Sequence, residues 1–358
     1  MNTLFISRDF SKFIDGGSIV TQRNFDFLER LGKVDKISIP KAGISTLAHN
    51  YLFRQTYGSR PAITAKLKKY LASRHYDLIW CDGSLYSGYL ELGHLKATTI
   101  AFYHNIEHDF YTAKAKSTGK ILDRMMIPYV THNERISTNL SSARVLLNER
   151  DARRLNQIYG RKGNFIMPTT FDSLRIEQIE NEIDTSEAPY ILFVGSNFFA
   201  NVEGLDYFFS EIAPYISLPV KIVGSVCEAF DKSELPPNIT LEGKVEDLTH
   251  YYVNSIAIVS PILSGSGTKT KTIEALRYGK TIIGSPEALM GVDSCHYDKI
   301  GKMCLTTEDY ITCINNLSEE RINRESLRIF NDIYSSESLY ERFLKFITEL
   351  QHGNLNEV

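Results

Sequence analysis

The sequence predicts an α/β protein made of two Rossmann-like, doubly wound domains in tandem. Short apolar runs alternate with amphipathic helical segments along the whole chain, as expected for parallel strands joined by crossover helices. The chain has 358 residues, and a single hydrophobic core rarely serves a chain of that length. Glycine-containing turns follow several strands in each half, where open α/β sheets bind their ligands.

Each half supplies one series of six candidate strands. The predicted strands of the first half are 3–7, 36–40, 77–81, 99–103, 144–147 and 164–167, and those of the second half are 190–194, 220–223, 239–241, 255–259, 281–283 and 302–305. A polar, acidic stretch without a clear strand separates the two series and indicates a linker. We therefore predict an N-terminal domain over 1–172, a linker over 173–188 and a C-terminal domain over 189–334.

The C-terminal segment 335–358 is predicted to hold one amphipathic helix that packs back on the N-terminal domain. Apolar residues at helical spacing form one face of it, and they are Leu339, Phe343, Phe346, Ile347 and Leu350.

Composition excludes several classes of protein. The formal net charge is −3, which argues against a protein whose main function is to bind nucleic acid. The 5 cysteines show no C-x-x-C spacing, so a disulfide framework or zinc site is not expected. The start of the chain lacks the pattern of a signal peptide, and no apolar run approaches the ~20 residues that span a bilayer. We expect a cytoplasmic protein that at most rests on a membrane.

The most informative stretch runs from Ser260 to Gly291. An apolar strand leads into a turn and a helix, and a glycine-rich turn that opens a helix offers backbone N–H groups and a positive helix end to phosphate. Lys271 adds a cation there, and Glu274 follows about one turn later, where a carboxylate suits a pair of sugar hydroxyls. The turn itself supplies the candidate diphosphate-binding residues Gly265, Ser266, Gly267, Thr268 and Lys269. An ordinary strand–turn–helix unit with solvated lysines is the alternative.

Further strand ends carry candidate ligand-binding residues. The first strand is followed by Gly16 and Gly17, and the strand 99–103 leads into His104, Asn105 and Glu107. Polar residues at these positions suit hydrogen bonds to sugar hydroxyls. A structural role for His104 and a flexible loop at Gly16 and Gly17 are equally good interpretations. In the second half the corresponding candidates are Gly195, Asn201, Gly224 and Val245.

Missing motifs narrow the chemistry. The sequence contains no P-loop signature, and the first strand is not followed by Gly-x-Gly-x-x-Gly. No two aspartates are separated by a single residue. The Asp-x-Asp motif, which binds a divalent ion at a nucleotide diphosphate, is therefore missing. We therefore expect no cofactor and no metal, with lysines and helix ends meeting the diphosphate charge.

The ordered set of motifs resembles the family-4, group-1 retaining glycosyltransferases of the GT-B fold. The resemblance is strongest from Tyr190 to Gly291, where ILFVGSNFFANVEGLDYF, KIVGS, ITLEGKVEDLTHYY and SPILSGSGTKTKTIEALRYGKTIIGS follow the order of that family's donor-binding half. It extends more weakly to the first half through the Gly16-Gly17 loop and YHNIEHDFY. The resemblance implies two domains facing a cleft, with a nucleotide-sugar donor on the second domain and the acceptor on the first.

The resemblance also implies roles for single residues. Lys271 corresponds to the lysine on the donor diphosphate, and Glu274 to the glutamate that holds the ribose. Val245 falls where backbone meets the base, and His104 near the transferred sugar. Ser266 replaces the first glutamate of the family's pair, so the identity of the donor sugar stays open. Lys269 takes the place of the arginine with which the family binds the diphosphate. A lysine ammonium group cannot form the two parallel hydrogen bonds of an arginine guanidinium group.

The predicted activity is transfer of a sugar, with retention, to a glycan or lipid-linked glycan in bacterial surface polysaccharide biosynthesis. Catalytic roles are expected for His104 and Lys271, and acceptor contacts for Asn105 and Glu107. A basic segment from Ala42 to Tyr76, together with Lys114, Lys116 and Lys120, suits anionic lipid, with solvated helix faces as the alternative. Rival functions are a non-catalytic GT-B partner subunit, a nucleotide-sugar epimerase and a phosphorylase-like enzyme.

Overall fold

The computed structural model describes residues 1–11, 16–92, 96–264, 270–353 and 357–358. The chain divides into two compact units. Unit 1 comprises residues 1–168 and 340–358, and unit 2 comprises residues 169–339.

Unit 1 is built on a parallel sheet of six strands in the order β2-β1-β3-β4-β5-β6. Its strands are β1 (Asn2–Arg8), β2 (Lys33–Ile39), β3 (Leu78–Asp82), β4 (Thr98–Tyr103), β5 (Ala143–Leu146) and β6 (Phe165–Ile166). The central strands are apolar along their length because helices cover both faces of a parallel sheet. Their residues form the core of the unit, with Leu4, Phe5, Ile79 and Trp80 at 0% exposure.

The helices of unit 1 connect these strands in crossover fashion. They are α1 (Gly16–Leu31), α2 (Ile44–Leu52), α3 (Pro61–Ser73), α4 (Glu107–Thr118), α5 (Ile121–Leu140) and α6 (Glu149–Tyr159). Local signals account for several of their ends. Gly119 ends α4 and Gly160 ends α6 in the left-handed conformation, and Asn148 caps α6 by accepting a hydrogen bond from the N–H of Asp151.

Unit 2 contains a second parallel sheet of six strands, in the order β12-β11-β10-β7-β8-β9. Its strands are β7 (Ile191–Val194), β8 (Val220–Val223), β9 (Ile239–Gly243), β10 (Ala257–Ser260), β11 (Thr281–Gly284) and β12 (Gly301–Met303). Its helices are α7 (Ile176–Asn181), α8 (Phe199–Tyr207), α9 (Thr249–Asn254), α10 (Thr270–Arg277), α11 (Tyr297–Ile300), α12 (Thr307–Asn315) and α13 (Arg324–Ile329). Two apolar clusters cover the two faces of this sheet.

The last helix, α14 (Ser336–Gln351), passes from unit 2 into unit 1 along the chain. Its residues from Tyr340 onward pack on the first sheet. The ring centre of Phe343 lies 5.6 Å from that of Phe27 and 5.9 Å from that of Trp80, and Phe346 stacks on Phe165 at 4.7 Å. All five residues of the predicted apolar face are buried.

The predicted α/β class with two doubly wound sheets is confirmed. All twelve predicted strands are present, and their ends differ from the predicted ends by three residues at most. Among the described residues, no helix combines the length and the apolar character needed to cross a membrane.

Candidate functional site

The strand order of unit 2 reverses between β7 and β10. The chain runs outward from β7 to β8 and β9 and then returns to add β10 on the other side of β7. The connections that leave these two neighbouring strands diverge, and open α/β sheets bind ligands in the crevice that results. α8 follows β7 and α10 follows β10, so the first residues of both helices lie at this edge.

Lys271 and Asn201 meet at this switch point. The ammonium group of Lys271 donates a hydrogen bond of 2.7 Å to Oδ1 of Asn201 and lies 3.9 Å from the ring centre of Phe193. Asn201 is buried and its amide donates to the carbonyl oxygen of Ser196 at 2.8 Å, which fixes the orientation of the side chain. The site thus presents a half-buried cation at the start of a helix, an arrangement that favours an anion.

Glu274 lies less than one turn beyond Lys271 on α10. Its Oε2 accepts a hydrogen bond of 3.1 Å from the hydroxyl of Tyr252, and the ring of Tyr252 stacks on that of Tyr278 at 4.8 Å. Burial raises the pKa of Glu274 above its usual value, against the hydrogen bond from Tyr252. The carboxyl group is therefore held in one position beside α9.

Glu274 also lines a cavity of about 380 Å³ within unit 2. The segment 246–249, which directly follows the predicted base-contacting residue Val245, forms another part of its wall. Arg277 at the end of α10 and Tyr278 directly after it complete this side of the cavity. The lining thus combines a guanidinium group and an aromatic ring with four carboxyl groups, those of Glu182, Glu246, Asp247 and Glu274. An aromatic ring beside several hydrogen-bonding groups suits a nucleoside.

Gly195 and Gly224 bring the ends of β7 and β8 together. Gly224 has φ +112°, and a Cβ built on it would lie 2.1 Å from the carbonyl oxygen of Gly195. The N–H of Gly195 donates to the carbonyl of Val223 at 2.9 Å. Glycine at these positions is thus explained by backbone packing beside Asn201. A direct role of either glycine in donor binding stays a prediction.

Five of the predicted donor-binding residues lie outside the described part of the chain. They are Gly265, Ser266, Gly267, Thr268 and Lys269. The described residues just before this gap contact α8. The hydroxyl of Ser264 donates to the carboxylate of Glu203 at 2.5 Å, and a Cβ on Gly204 would lie 2.5 Å from the carbonyl oxygen of Pro261.

The strand order of unit 1 reverses between β1 and β3, and polar residues gather at that edge as well. Asp82 ends β3 and is fully buried. Nε2 of His104, directly after β4, lies 2.7 Å from Oδ1 of Asp82. The hydroxyl of Thr21 donates to the same oxygen at 2.9 Å, while Asn24 and Trp80 donate to Oδ2 at 2.6 and 2.9 Å.

These contacts keep Asp82 ionised. Burial by itself raises the pKa of Asp82, but the charge and hydrogen bond of His104, with the bonds from Asn24 and Trp80, outweigh it and lower the pKa. An ionised carboxylate accepts only, so Nε2 of His104 donates its N–H to Asp82. The ring of His104 is thereby held by one nitrogen and by an edge-on contact with Phe102 at 4.9 Å, while the side chain stays 20% exposed.

Glu134 on α5 organises the loop that follows His104. Its Oε1 accepts from the hydroxyl of Ser84 and from the N–H of Glu107, both at 2.9 Å. Its Oε2 accepts from the N–H of His108 at 3.4 Å and from the hydroxyl of Tyr159 at 2.6 Å. A carboxylate of another helix thus satisfies the first N–H groups of α4. Burial raises the pKa of Glu134 to about 7, against these four bonds.

Glu107 begins α4 and is half-buried. Its Oε1 accepts a hydrogen bond of 2.9 Å from the side-chain amide of Asn105. Burial, and after it the charge of Glu134, raise the pKa of Glu107 to about 8. At neutral pH the predicted acceptor-binding carboxyl group is therefore largely protonated, and it can both donate and accept hydrogen bonds.

The structure brings together predicted residues within each unit and adds partners that the sequence reasoning missed. Gly16 and Gly17 open α1, whose Thr21 reaches Asp82 beside His104. Asp82 was missed, although an acid directly after an apolar strand and before Gly83 is the same signal that marked His104. Glu134 lies inside a helical segment and had no such signal. Among the described residues, no cluster of three or more His, Cys, Asp or Glu is arranged to hold a metal ion.

A family model matches part of the second unit. Residues 188–310, which lie in unit 2, match the model of the family described as Glycosyl transferases group 1. No curated protein sequence matches the chain.

Solved structures match nearly the whole chain. Sucrose-phosphate synthase from Thermosynechococcus elongatus superimposes with a TM-score of 0.76 at 13% identity, covering 98% of this chain and 99% of that one. HepE of Anabaena in complex with UDP gives a TM-score of 0.64 at 11% identity, covering 98% and 100%. The lipopolysaccharide outer core galactosyltransferase WaaB gives 0.61 at 13% identity, covering 98% and 100%.

The protein therefore has the GT-B fold of the glycosyltransferases, as predicted. Residues 188–310 of its second unit match the group 1 glycosyltransferase model, which confirms the resemblance seen in the motifs of that segment. Membership of family 4 in particular stays a prediction, as do the roles of the individual site residues and the boundaries of the predicted domains.

Proposed function

We propose that the protein is a retaining glycosyltransferase that moves a sugar from a nucleotide-sugar donor to a glycan or lipid-linked glycan acceptor. The observation that carries the proposal is the hydrogen-bonded pair of Lys271 and Asn201 at the switch point of unit 2. A cation held at that edge, at the start of a helix, is suited to the diphosphate of a donor.

The donor fits unit 2 in three parts. Lys271 neutralises the diphosphate, Glu274 accepts hydrogen bonds from the ribose hydroxyls, and the segment after Val245 meets the base at the cavity wall. Uridine diphosphate is the first nucleotide to test, because HepE of Anabaena, with the same fold, was solved with UDP and with UDP-glucose.

The reaction follows from this placement. The bond between the anomeric carbon and the diphosphate oxygen breaks, and negative charge builds on the leaving diphosphate. Lys271 stabilises that charge and so lowers the barrier. The acceptor hydroxyl attacks from the face that the diphosphate leaves, its oxygen bonds to the anomeric carbon, and its proton passes to the departing phosphate. No metal is required in this scheme.

The acceptor is assigned to unit 1. His104, oriented by Asp82, hydrogen-bonds the transferred sugar or stabilises positive charge beside it. Asn105 and Glu107 bind acceptor hydroxyls, and a protonated Glu107 suits this because it donates as well as accepts. We place the enzyme in the cytoplasm at the inner face of the membrane, in the synthesis of a bacterial surface polysaccharide.

A thermal-shift panel tests the proposal. UDP, GDP, ADP and CMP, with their sugars, are compared with and without EDTA, and the parent protein is compared with Lys271→Ala. Selective stabilisation by one nucleotide, unchanged by EDTA and lost in the variant, is the expected result, because a ligand that binds only the folded state stabilises it. Absence of any shift would favour the non-catalytic partner subunit instead.

A further inference from the structure

Six large apolar side chains of unit 1 project into solvent from two neighbouring segments. Their exposed fractions lie between 54% and 74%. They are Ile44, Leu52 and Phe53 on and just after α2, and Ile121, Leu122 and Met125 in the first turns of α5, and we call them the insertion face. Scattered apolar residues on a surface are normal, but a cluster marks an interaction site.

Contacts between the α2 segment and α5 hold the two parts of the insertion face together. The ring of Tyr51 packs edge-on against that of Tyr129 at 5.7 Å, and the hydroxyl of Tyr129 donates to the carbonyl of Gln55 at 3.1 Å. Met125 precedes Tyr129 by four residues and therefore lies on the same side of α5. Ile121 and Leu122 extend that side by one more turn toward the start of the helix.

The segments that carry the insertion face are rich in positive charge. Residues 41–75 contain seven lysines and arginines and no aspartate or glutamate, in a chain whose net charge is −3. One of the seven, Arg74, forms an ion pair with Asp35 of β2. On the side of α5, Lys116, Lys120 and Arg124 are exposed. The acid among them, Asp123, is buried and forms an ion pair of 2.8 Å with Lys114. Its negative charge is thus compensated locally.

We infer that the insertion face docks unit 1 on an anionic phospholipid bilayer. The apolar side chains enter the boundary between headgroups and acyl chains, and the cations around them meet lipid phosphates. The choice of partner depends on both the apolar side chains and the cations. A nucleic acid would not bury large aliphatic side chains, and a neutral apolar partner would leave this excess of cations without counter-charge.

The docking surface lies in the unit that also holds the proposed acceptor residues. α4 begins at Glu107 and ends at Thr118, next to the start of α5. A bilayer at the insertion face would supply a lipid-linked acceptor to that unit. This link rests on the proposed function, but the docking itself does not, because it requires neither donor nor acceptor.

Tryptophan fluorescence offers a direct measurement of insertion. The chain has 1 tryptophan, Trp80, which is fully buried, so Phe53→Trp adds one exposed reporter. We expect its emission to shift to the blue and to be quenched by brominated lipid when phosphatidylglycerol vesicles are added. Leu305→Trp in unit 2 is the matched control, since Leu305 is 70% exposed, and it should not respond. An unchanged spectrum for Phe53→Trp, or an equal response of the control, would overturn the inference.

Vesicle sedimentation without substrates provides the second measurement. The pair Leu52→Ser with Phe53→Ser should weaken binding to phosphatidylglycerol vesicles about tenfold or more, because the apolar contribution is lost. The triple change of Lys116, Lys120 and Arg124 to Gln should weaken it and reduce its salt dependence. Leu305→Ser should bind like the parent protein.

Other outcomes contradict the bilayer as partner. Equal binding to pure phosphatidylcholine vesicles would remove the role of the cations. Loss of a dimer in Leu52→Ser/Phe53→Ser, without vesicle binding by the parent, would make the face a protein interface. Nucleotide-induced thermal stabilisation of each variant reports on the donor site separately, so failure of docking is distinguishable from failure of the proposed function.

Discussion

The ammonium group of Lys271 donates a hydrogen bond of 2.7 Å to Oδ1 of Asn201. The two residues are 70 positions apart and belong to helices that leave the adjacent strands β10 and β7. Because Asn201 is itself held by the carbonyl of Ser196, the pair fixes a cation at the point where the strand order reverses. This geometry leads to the first prediction.

Removing the cation should abolish most of the activity. We expect Lys271→Ala to lower kcat by about 100- to 1000-fold, as loss of a group that stabilises developing charge does. Asn201→Asp should raise the KM for the donor more than Asn201→Ala, because an aspartate pairs with Lys271 and competes with the diphosphate. Initial rates at varied donor concentration measure both effects. Lys232→Ala, at an exposed position of unit 2, is the control, and near-normal kcat in Lys271→Ala would refute the role.

Replacing Asp82 by Asn should destabilise unit 1 in a pH-dependent way. Each carboxylate oxygen of Asp82 accepts two hydrogen bonds. In asparagine an NH₂ group replaces one of these oxygens, so two of the four donors would face another donor. We expect a loss of about 2–4 kcal/mol in the free energy of unfolding at pH 7. Because the pKa of Asp82 is lowered in the folded protein, its stabilisation is present above the unfolded pKa of about 3.9 and disappears as the pH falls through the folded value.

The measurement is urea unfolding of Asp82→Asn and parent protein at pH 7 and at pH 3. Trp80 donates to Asp82 and reports on this unit directly. The difference between the two proteins should shrink in acid, and an unchanged difference at both pH values would contradict an ionised Asp82. Since Asp82 orients His104, kcat of the variant should also fall, with the donor KM nearly unchanged.

Glu107→Gln should stabilise the protein at alkaline pH. The pKa of Glu107 is raised to about 8, so the folded state binds more protons than the unfolded state between about pH 4.3 and pH 8. Over that window the parent protein loses stability as the pH rises, whereas the glutamine variant does not. With its partial exposure taken into account, we expect a gain on the order of 1–2 kcal/mol at pH 9 and little change at pH 5.

Thermal unfolding of Glu107→Gln across this pH range checks the sign. Glu149→Gln, at an exposed glutamate of α6, is the control. A variant that is less stable than the parent at pH 9 would contradict the prediction, because it would show that ionised Glu107 does not destabilise the folded protein. In acceptor kinetics the variant should keep much of its affinity, because an amide also donates and accepts.

A methyl group at Gly224 should disturb the donor site through the backbone. Its Cβ would lie 2.1 Å from the carbonyl oxygen of Gly195, at φ +112°. Gly119→Ala is the matched control, since Gly119 also has a positive φ, +65°, but its Cβ would meet nothing within 4 Å. We expect Gly119→Ala to cost about 1–2 kcal/mol and Gly224→Ala clearly more, with weaker nucleotide binding only in the latter. Equal melting temperatures would contradict the close approach of β7 and β8.

Much of the fold was predictable because its signals are local. A parallel strand covered on both faces reads as a short apolar run, and all twelve such runs became strands. The apolar face of α14 was equally visible, since one side of a helix recurs every three to four residues. By contrast, Glu134 lies in an amphipathic stretch like many others. Only the packing of α5 places its carboxylate at the first turn of α4.

The sequence by itself determined the alternation of strands and helices and the residue types at the strand ends, because periodicity and turn chemistry act over a few neighbouring residues. It thus named Lys271, Glu274 and His104. The tertiary structure decided which strand ends are neighbours, because strand order depends on long-range hydrogen bonding and burial that no short pattern encodes. The pairing of Lys271 with Asn201, and of His104 with Asp82, follows from that order alone.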